Sequence, residues 1–411
     1  MIDRLCRWIL SRFLRRIGHG SLIVVEEGER RVYGSGPPTA TIVVRSSRMW
    51  RMGLAGSRGL ADAYAAGLWD SPDLVALVRL AARNASGLDR LRGHLAPVRV
   101  PIQYARARFT RSTRARRRRD IAAHYDLGNQ LFSRMLDPTM SYSCALFANP
   151  GMTLEEAQLA KLELICEKLA LGQDDHLLEI GTGWGGLAVH AARTRGCRVT
   201  TTTISREQHD YAVEAVRQAG VEDRATVLLE DYRDLTGRYD KLVSIEMIEA
   251  VGWRHTGAFL AKCGELLVPD GAMLLQAIAI DDRAYEVEKA SRSFINTRIF
   301  PGGCLPSLEV IARGLARSTD MQMVGLEDLT AHYVETLRRW RVRFAEHAEA
   351  LSELGYDEPF RRLWTLYLSY CEAGFAERRI LDVQLLLGKP HRRAEAPAAA
   401  IANRAQVAAL P

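Results

Sequence analysis

Leu177-Leu178-Glu179-Ile180-Gly181-Thr182-Gly183-Trp184-Gly185-Gly186 decides the fold. A short apolar run with one acid reads as a buried strand. The glycines that follow make a turn in which backbone can approach a ligand closely. A helical pattern starts near Leu187, so free N–H groups at its beginning face whatever sits in the turn. This predicts a nucleotide-type site at the carboxyl end of the first strand of an open α/β sheet. The spacing alone also satisfies a dinucleotide fingerprint through Gly181, Gly183 and Gly186, or a glycine-rich turn holding nothing.

Outward from this stretch, strand and helix patterns alternate. Strands are expected at His176–Ile180, Arg198–Thr203, Thr226–Leu229, Lys241–Ile245 and Ala272–Ile278. Helices are expected at Leu187–Arg195, Arg206–Ala219 and Arg254–Leu267. Such alternation gives a parallel sheet with helices on both faces. Thr153-Leu154-Glu155-Glu156 reads as a capping box that starts a helix running to Leu171, with Gly172 just past its end. After Gly303, strand signals return at Met321–Leu326 and Val383–Leu387, with helical stretches Tyr333–Leu354 and Glu358–Ile380 between them.

Leu22–Val25 and Ala40–Val44 are β-rich, and Leu60–Asn84 is helical, with Ser71-Pro72 as a capped start. The organisation expected is a small α+β N-terminal domain, residues 1–105, associated with lipid or membrane. An Arg-rich linker follows at 106–120, then a larger α/β domain at 121–390 and a loose tail at 391–411.

The chain has 411 residues, 47% of them hydrophobic, and a net charge of +7, which suits a globular protein with an anionic partner. Its seven cysteines are scattered, with no C-x-x-C pair, so neither a disulfide framework nor a zinc site is indicated. A reducing, cytoplasmic setting fits. No apolar run approaches the roughly 18 residues of a membrane span. In the first seventeen residues, Ile2, Leu5, Cys6, Ile9, Leu10, Phe13, Leu14 and Ile17 recur at helical spacing, with Arg4, Arg7, Arg12, Arg15 and Arg16 among them. This is either a surface helix packed on the domain behind it or an interfacial helix lying on anionic lipid. Arg106 to Arg119 carries eight arginines. The run reads as a solvated linker or as a binder of phospholipid headgroups. Nucleic acid is disfavoured, because no recognition helix or aromatic-basic interleaving accompanies it.

Several segments together carry a resemblance. They are His124-Tyr125-Asp126-x-Gly128-Asn129, Tyr142-Ser143-Cys144, the glycine turn, Thr203-Ile204-Ser205-x-x-Gln208, Asp231-Tyr232-Arg233-Asp234 and Phe300-Pro301-Gly302-Gly303-Cys304-Leu305-Pro306-Ser307. In order and spacing the block from His124 to Pro390 resembles the cyclopropane-fatty-acyl-phospholipid synthase family of S-adenosylmethionine-dependent methyltransferases. Gly59–Arg83 resembles the amino-terminal domain of its longer members. The resemblance implies a Rossmann-like class I methyltransferase sheet. It also implies methyl transfer to the cis double bond of an unsaturated phospholipid acyl chain, giving a cyclopropane fatty acid. Related outcomes are a methyl-branched or methylene-bearing chain or a furan fatty acid precursor. The competing classes are a methyltransferase-fold enzyme acting on a small molecule and a non-catalytic membrane-binding descendant.

By the same resemblance, Tyr142, Ser143, Glu179, Gly181, Gly183 and Gly185 bind the cofactor, with Glu179 and the glycine turn at its methionine part. Thr203, Ile204 and Gln208 follow the second strand, where the ribose sits. Tyr232 and Arg233 flank the adenine. A dinucleotide enzyme would want an acid at the end of that second strand, where this chain has Thr203. Bicarbonate is implied as the base, held by Cys144, Glu249, Gln276, Ile278 and Tyr333, with Cys144 and Ile278 acting through their main-chain N–H groups. Better-known members carry histidine where this chain has Gln276, and often a histidine after the acid, where this chain has Ala250. Glutamine donates a hydrogen bond but does not relay a proton near neutral pH. No metal is expected. A homodimer, peripheral at the inner membrane face, is the expected form.

Overall fold

The structure is a computed structural model and describes residues 2–85, 127–289 and 291–393. The Arg106–Arg119 run, His124, Tyr125, Asp126 and the segment from 394 onward lie outside the described residues.

The amino-terminal part is a four-stranded sheet in the order β2-β1-β3-β4, formed by β1 Gly20–Glu26, β2 Glu29–Ser35, β3 Thr39–Val44 and β4 Trp69–Asp70. Glu27 and Gly28, at φ 52° and 80°, form the two-residue connection between β1 and β2, the left-handed pair that matches strand twist in a tight hairpin. Strand β2, Glu-Arg-Arg-Val-Tyr-Gly-Ser, has no apolar alternation because it is a solvent-facing edge, and sequence patterning misses it. The helix start assigned to Ser71 falls instead at Asp73, whose carboxylate caps Ala76 N–H. Ser71 Oγ donates to Thr41 O, tying the loop to β3.

The larger sheet has seven strands in the order β10-β11-β9-β8-β5-β6-β7. These are β5 His176–Ile180, β6 Arg198–Thr203, β7 Ala225–Leu229, β8 Tyr239–Ile245, β9 Leu267–Ile280, β10 Gln322–Asp328 and β11 Ile380–Gly388. Strands β7, β6, β5, β8 and β9 are parallel; β11 runs antiparallel to β9, and β10 to β11. Buried strands such as β5 carry continuous apolar runs because both faces are covered by helices. The Thr153–Glu156 capping box is formed, and the helix it starts, Leu154–Leu169, ends on Ala170 in the left-handed conformation rather than at Gly172. The stretch expected as one helix from Tyr333 breaks at His347 into Thr330–Glu346 and Ala348–Glu353.

One hydrophobic cluster runs through both parts, from Trp50 and Trp69 to Phe132, Trp340 and Trp364. Polar contacts reinforce that junction. Arg362 reaches Tyr64 O, Trp69 O and Asp70, and Arg79 and Arg83 clamp Glu377.

Two registers position the site. β11 pairs with β9 so that Gln384 faces Gln276 and Asp382 faces Ile278. β8 pairs with β9 so that its last residue, Ile245, faces Gln276, which sets Glu246 just beyond the sheet beside Gln276.

Candidate active site

A pocket opens at the carboxyl ends of β5, β6, β7 and β8, the place where open α/β sheets bind ligands. Tyr142, Ser143, Glu179, Gly181, Gly183, Thr203, Ile204, Gln208, Tyr232 and Arg233 all line it. Gly185 does not. At φ +90°, with an added Cβ placed 3.1 Å from Ala212 Cβ, it lets two helices pack rather than a ligand approach. Gly183, at φ +53°, has open space where a Cβ would project, as a residue facing a ligand should.

The polar groups of the pocket are held in place from behind. Glu179 accepts from Thr201 Oγ1 at 2.6 Å, and Thr201 meets Thr182 Oγ1 at 2.7 Å. Burial pushes the Glu179 carboxyl up to about 8. Thr203 Oγ1 and the Gln208 amide oxygen are 2.9 Å apart, which fixes the corner after β6. Arg233 is locked on Asp231, and its guanidinium lies 5.7 Å from the Tyr232 ring centre. Tyr232 in turn packs edge-on against Phe259. Asn129 accepts from the Trp184 indole at 2.7 Å, so it orders the glycine turn from outside.

Three of the five residues expected around an anion, Cys144, Gln276 and Tyr333, meet on a residue that sequence reading passed over, while Ile278 and Glu249 pair with each other. Glu246 Oε1 accepts from Cys144 N at 2.8 Å and from Gln276 Nε2 at 2.9 Å; Oε2 accepts from Tyr333 Oη at 2.5 Å. Ile278 N donates to Glu249 Oε1 at 2.5 Å. The donors of Cys144, Gln276, Tyr333 and Ile278 therefore all end on protein carboxylates and are not free to hold a guest anion, while Glu249 Oε2 is buried without a partner. Glu246 is at φ 48°, a left-handed conformation that costs a non-glycine residue free energy and marks constrained sites. It is half-buried, because it also forms part of the pocket wall. No local signal could have found it: its partners lie 102, 30 and 87 residues away.

Supports surround this cluster. Tyr333 stacks on Phe375 with ring centres 4.4 Å apart. Gln276 accepts from Gln384 Nε2 at 3.0 Å, and Gln384 Oε1 accepts from Lys168 Nζ at 2.6 Å. Gln276 Nε2 also donates to Asp382 Oδ2 at 3.0 Å. The glutamine at this position is thus a fixed donor to two carboxyls, a task needing no proton relay. Buried Lys161, another residue missed in sequence, donates to Ser143 Oγ at 2.8 Å and lines the pocket. Burial pushes Glu249 up to about 8, with the charge of Glu246 adding to the effect; Asp382 is raised well above the carboxylate range by burial and both glutamates. Burial raises Glu246 as well, but the donated bonds of Tyr333, Cys144 and Gln276 and the charge of Lys161 oppose it. Among these three carboxyls, Glu246 is the one that accepts donated hydrogen bonds on both oxygens, which favour its charged form.

The sheet order, the glycine turn and the four strand-end clusters define a class I S-adenosylmethionine-dependent methyltransferase. Within that class, residues 112–385 match the mycolic acid cyclopropane synthetase family, and the chain belongs to it. It is 38% identical to the tuberculostearic acid methyltransferase of Mycobacterium tuberculosis over 84% of either chain. It is also 38% identical to the cyclopropane-fatty-acyl-phospholipid synthase of Escherichia coli, over 86% of this chain and 88% of that one. The solved cyclopropane synthase MmaA2 from M. tuberculosis superposes with a TM-score of 0.62 at 32% identity, covering 66% of this chain and 98% of the other. A mycolic acid cyclopropane synthase complexed with S-adenosylhomocysteine gives the same TM-score at 30% identity over the same shares. The chain is an S-adenosylmethionine-dependent methyltransferase of lipid-modifying type. Among the described residues no helix is long and apolar enough to cross a membrane.

Proposed function

We propose that the protein adds one carbon from S-adenosylmethionine to the cis double bond of an unsaturated phospholipid acyl chain, with cyclopropane closure as the product. The observation that supports this is Glu246, a carboxylate in the wall of the cofactor pocket and hub of three donors, suited to collect a proton released by the acyl chain. When bound, the cofactor supplies a methyl group made electrophilic by a sulfonium. Gly181, Gly183 and Glu179 hold its amino-acid end, Thr203 and Gln208 the ribose side, and Tyr232 and Arg233 the adenine. An alkene is a weak nucleophile, so the site must orient it and keep water from the cationic chain that results. Tyr142, whose hydroxyl meets that of Tyr367 at 2.7 Å, and Trp184 line the pocket, backed by the buried rings of Phe132 and Trp340, an arrangement suited to that exclusion.

A methylene-bearing chain is the second reading. The likeness to a tuberculostearic acid methyltransferase favours it.

The lipid surface is met by the helix Ile2–Leu14. Cys6 is buried and Leu10, Leu14 and Ile17 pack on the core, while Ile2, Leu5 and Trp8 are 62%, 59% and 56% exposed. Exposed Arg4, Arg12, Arg15 and Arg16 share that outer face, and Arg12 lies over the Trp8 ring. Exposed apolar residues mixed with cations suit an anionic bilayer, at roughly 1 kcal/mol per basic residue near the surface.

The test is incubation of the purified protein with methyl-labelled cofactor and anionic vesicles of either saturated or cis-unsaturated phospholipid. Label should enter only the unsaturated acyl chains. Label in neither lipid would refute the reading.

A further inference from the structure

We infer that Glu246 is the protein's own replacement for an exogenous anion: its carboxylate receives the proton lost from the methylated acyl chain, and turnover needs no bicarbonate. The inference rests on the lipid methyl transfer proposed above and deepens it.

Geometry carries the argument. A carboxylate offers about four lone-pair sites. Cys144 N–H and Gln276 Nε2 occupy two on Oε1, and the Tyr333 hydroxyl occupies one on Oε2. One site on Oε2 remains, on a side chain that forms part of the cofactor pocket. Three directed donors hold the group in its charged form without filling it. The backbone at Glu246 is left-handed, a conformation glycine adopts freely and glutamate does not. The constraint is tolerated where the side chain is used. Gln276 agrees with this. Its amide oxygen is committed to Gln384 and its amide nitrogen to Glu246 and Asp382, so it serves a resident carboxylate and has no donor left for a guest.

The chemistry balances. Methyl transfer forms one carbon–carbon bond, breaks the sulfur–carbon bond and leaves a cation on the chain. Loss of one proton from the added methyl with closure of a second carbon–carbon bond gives the ring; a 1,2-hydride shift along the chain followed by loss of one proton from the same methyl gives the methylene. In either case the proton goes to Glu246 Oε2, and the carboxylate becomes a neutral acid. No further reactant is consumed.

Glycine suits the left-handed backbone, so Glu246→Gly is the variant expected to fold. Binding of S-adenosylmethionine by calorimetry serves as the control for an intact pocket. Rates are measured on unsaturated vesicles in buffer stripped of carbon dioxide and again with added bicarbonate. The wild-type rate should be the same in both. Glu246→Gly should lose about 10²-fold or more without bicarbonate, the usual worth of a positioned general base. Recovery on adding bicarbonate would show the vacated donors accepting a guest anion. A wild-type rate that depends on bicarbonate would overturn the inference while leaving the lipid reading intact. So would an undiminished Glu246→Gly rate in stripped buffer. A wild type inactive on lipid in both buffers would instead refute the underlying reading.

Discussion

The Tyr333 hydroxyl donates to Glu246 Oε2 at 2.5 Å across 87 residues of sequence, joining the helix Thr330–Glu346 to the loop after β8. Phe375 stacks against the same ring and prevents it from swinging away. This contact ties the proton acceptor to a positioning residue.

Tyr333→Phe removes that donor and keeps the stack. A hydrogen bond to the charged form lowers a carboxyl's pKa, so its loss raises Glu246 further. The acceptor must be ionised to work, and activity is lost as pH falls through its pKa. The acidic limb of the rate profile should therefore move to higher pH in Tyr333→Phe, with a rate near neutrality lower by about tenfold or more. A profile superimposable on wild type would contradict the contact's role.

Burial raises Glu179 to about 8 from an ordinary 4.5. Between those values the folded state holds a proton that the unfolded state has released. Stability contributed by this group is then full below about 4.5 and is lost as pH rises through about 8. Glu249 acts in the same direction. Thermal midpoints without cofactor should decline from pH 5 to 8, and Glu179→Gln should flatten the decline. An equal slope in the variant would show that Glu179 is not the source.

Much of this fold was legible because it is locally encoded. Strands β5 and β6 have the boundaries read from their apolar and threonine runs, and the helix Arg206–Ala219 does too. The capping box is visible in four consecutive residues. Edge strand β2 was hidden because neither of its faces is buried. In the site, Glu179, Thr203, Ile204, Gln208, Tyr232 and Arg233 lie at or after strand ends, and the family resemblance of their segments pointed to them. Glu246 and Lys161 were invisible because their meaning comes from partners brought by β9, the Tyr333 helix and the Cys144 loop. Three of the donors expected to hold bicarbonate, on Cys144, Gln276 and Tyr333, meet Glu246. Gly185 looked like a ligand glycine because its packing partner, Ala212, lies on a different helix.

Trp8→Glu on the outer face of the first helix should leave the fold unchanged, because that side chain is 56% exposed. It replaces an interfacial anchor with a charge repelled by anionic lipid. Sedimentation with anionic vesicles should show binding weakened at least several-fold, and the wild type's binding should fall with salt. Equal sedimentation of both proteins would remove this helix from the lipid contact.

The most direct test of the central claim is expression of the intact protein in a host without the activity, followed by mass spectrometry of its phospholipid acyl chains. The account predicts unsaturated chains heavier by one CH₂ unit, with the original alkene consumed in a ring or displaced to a methylene. Acyl chains unchanged in mass, from cells in which the protein is folded and binds S-adenosylmethionine, would contradict it.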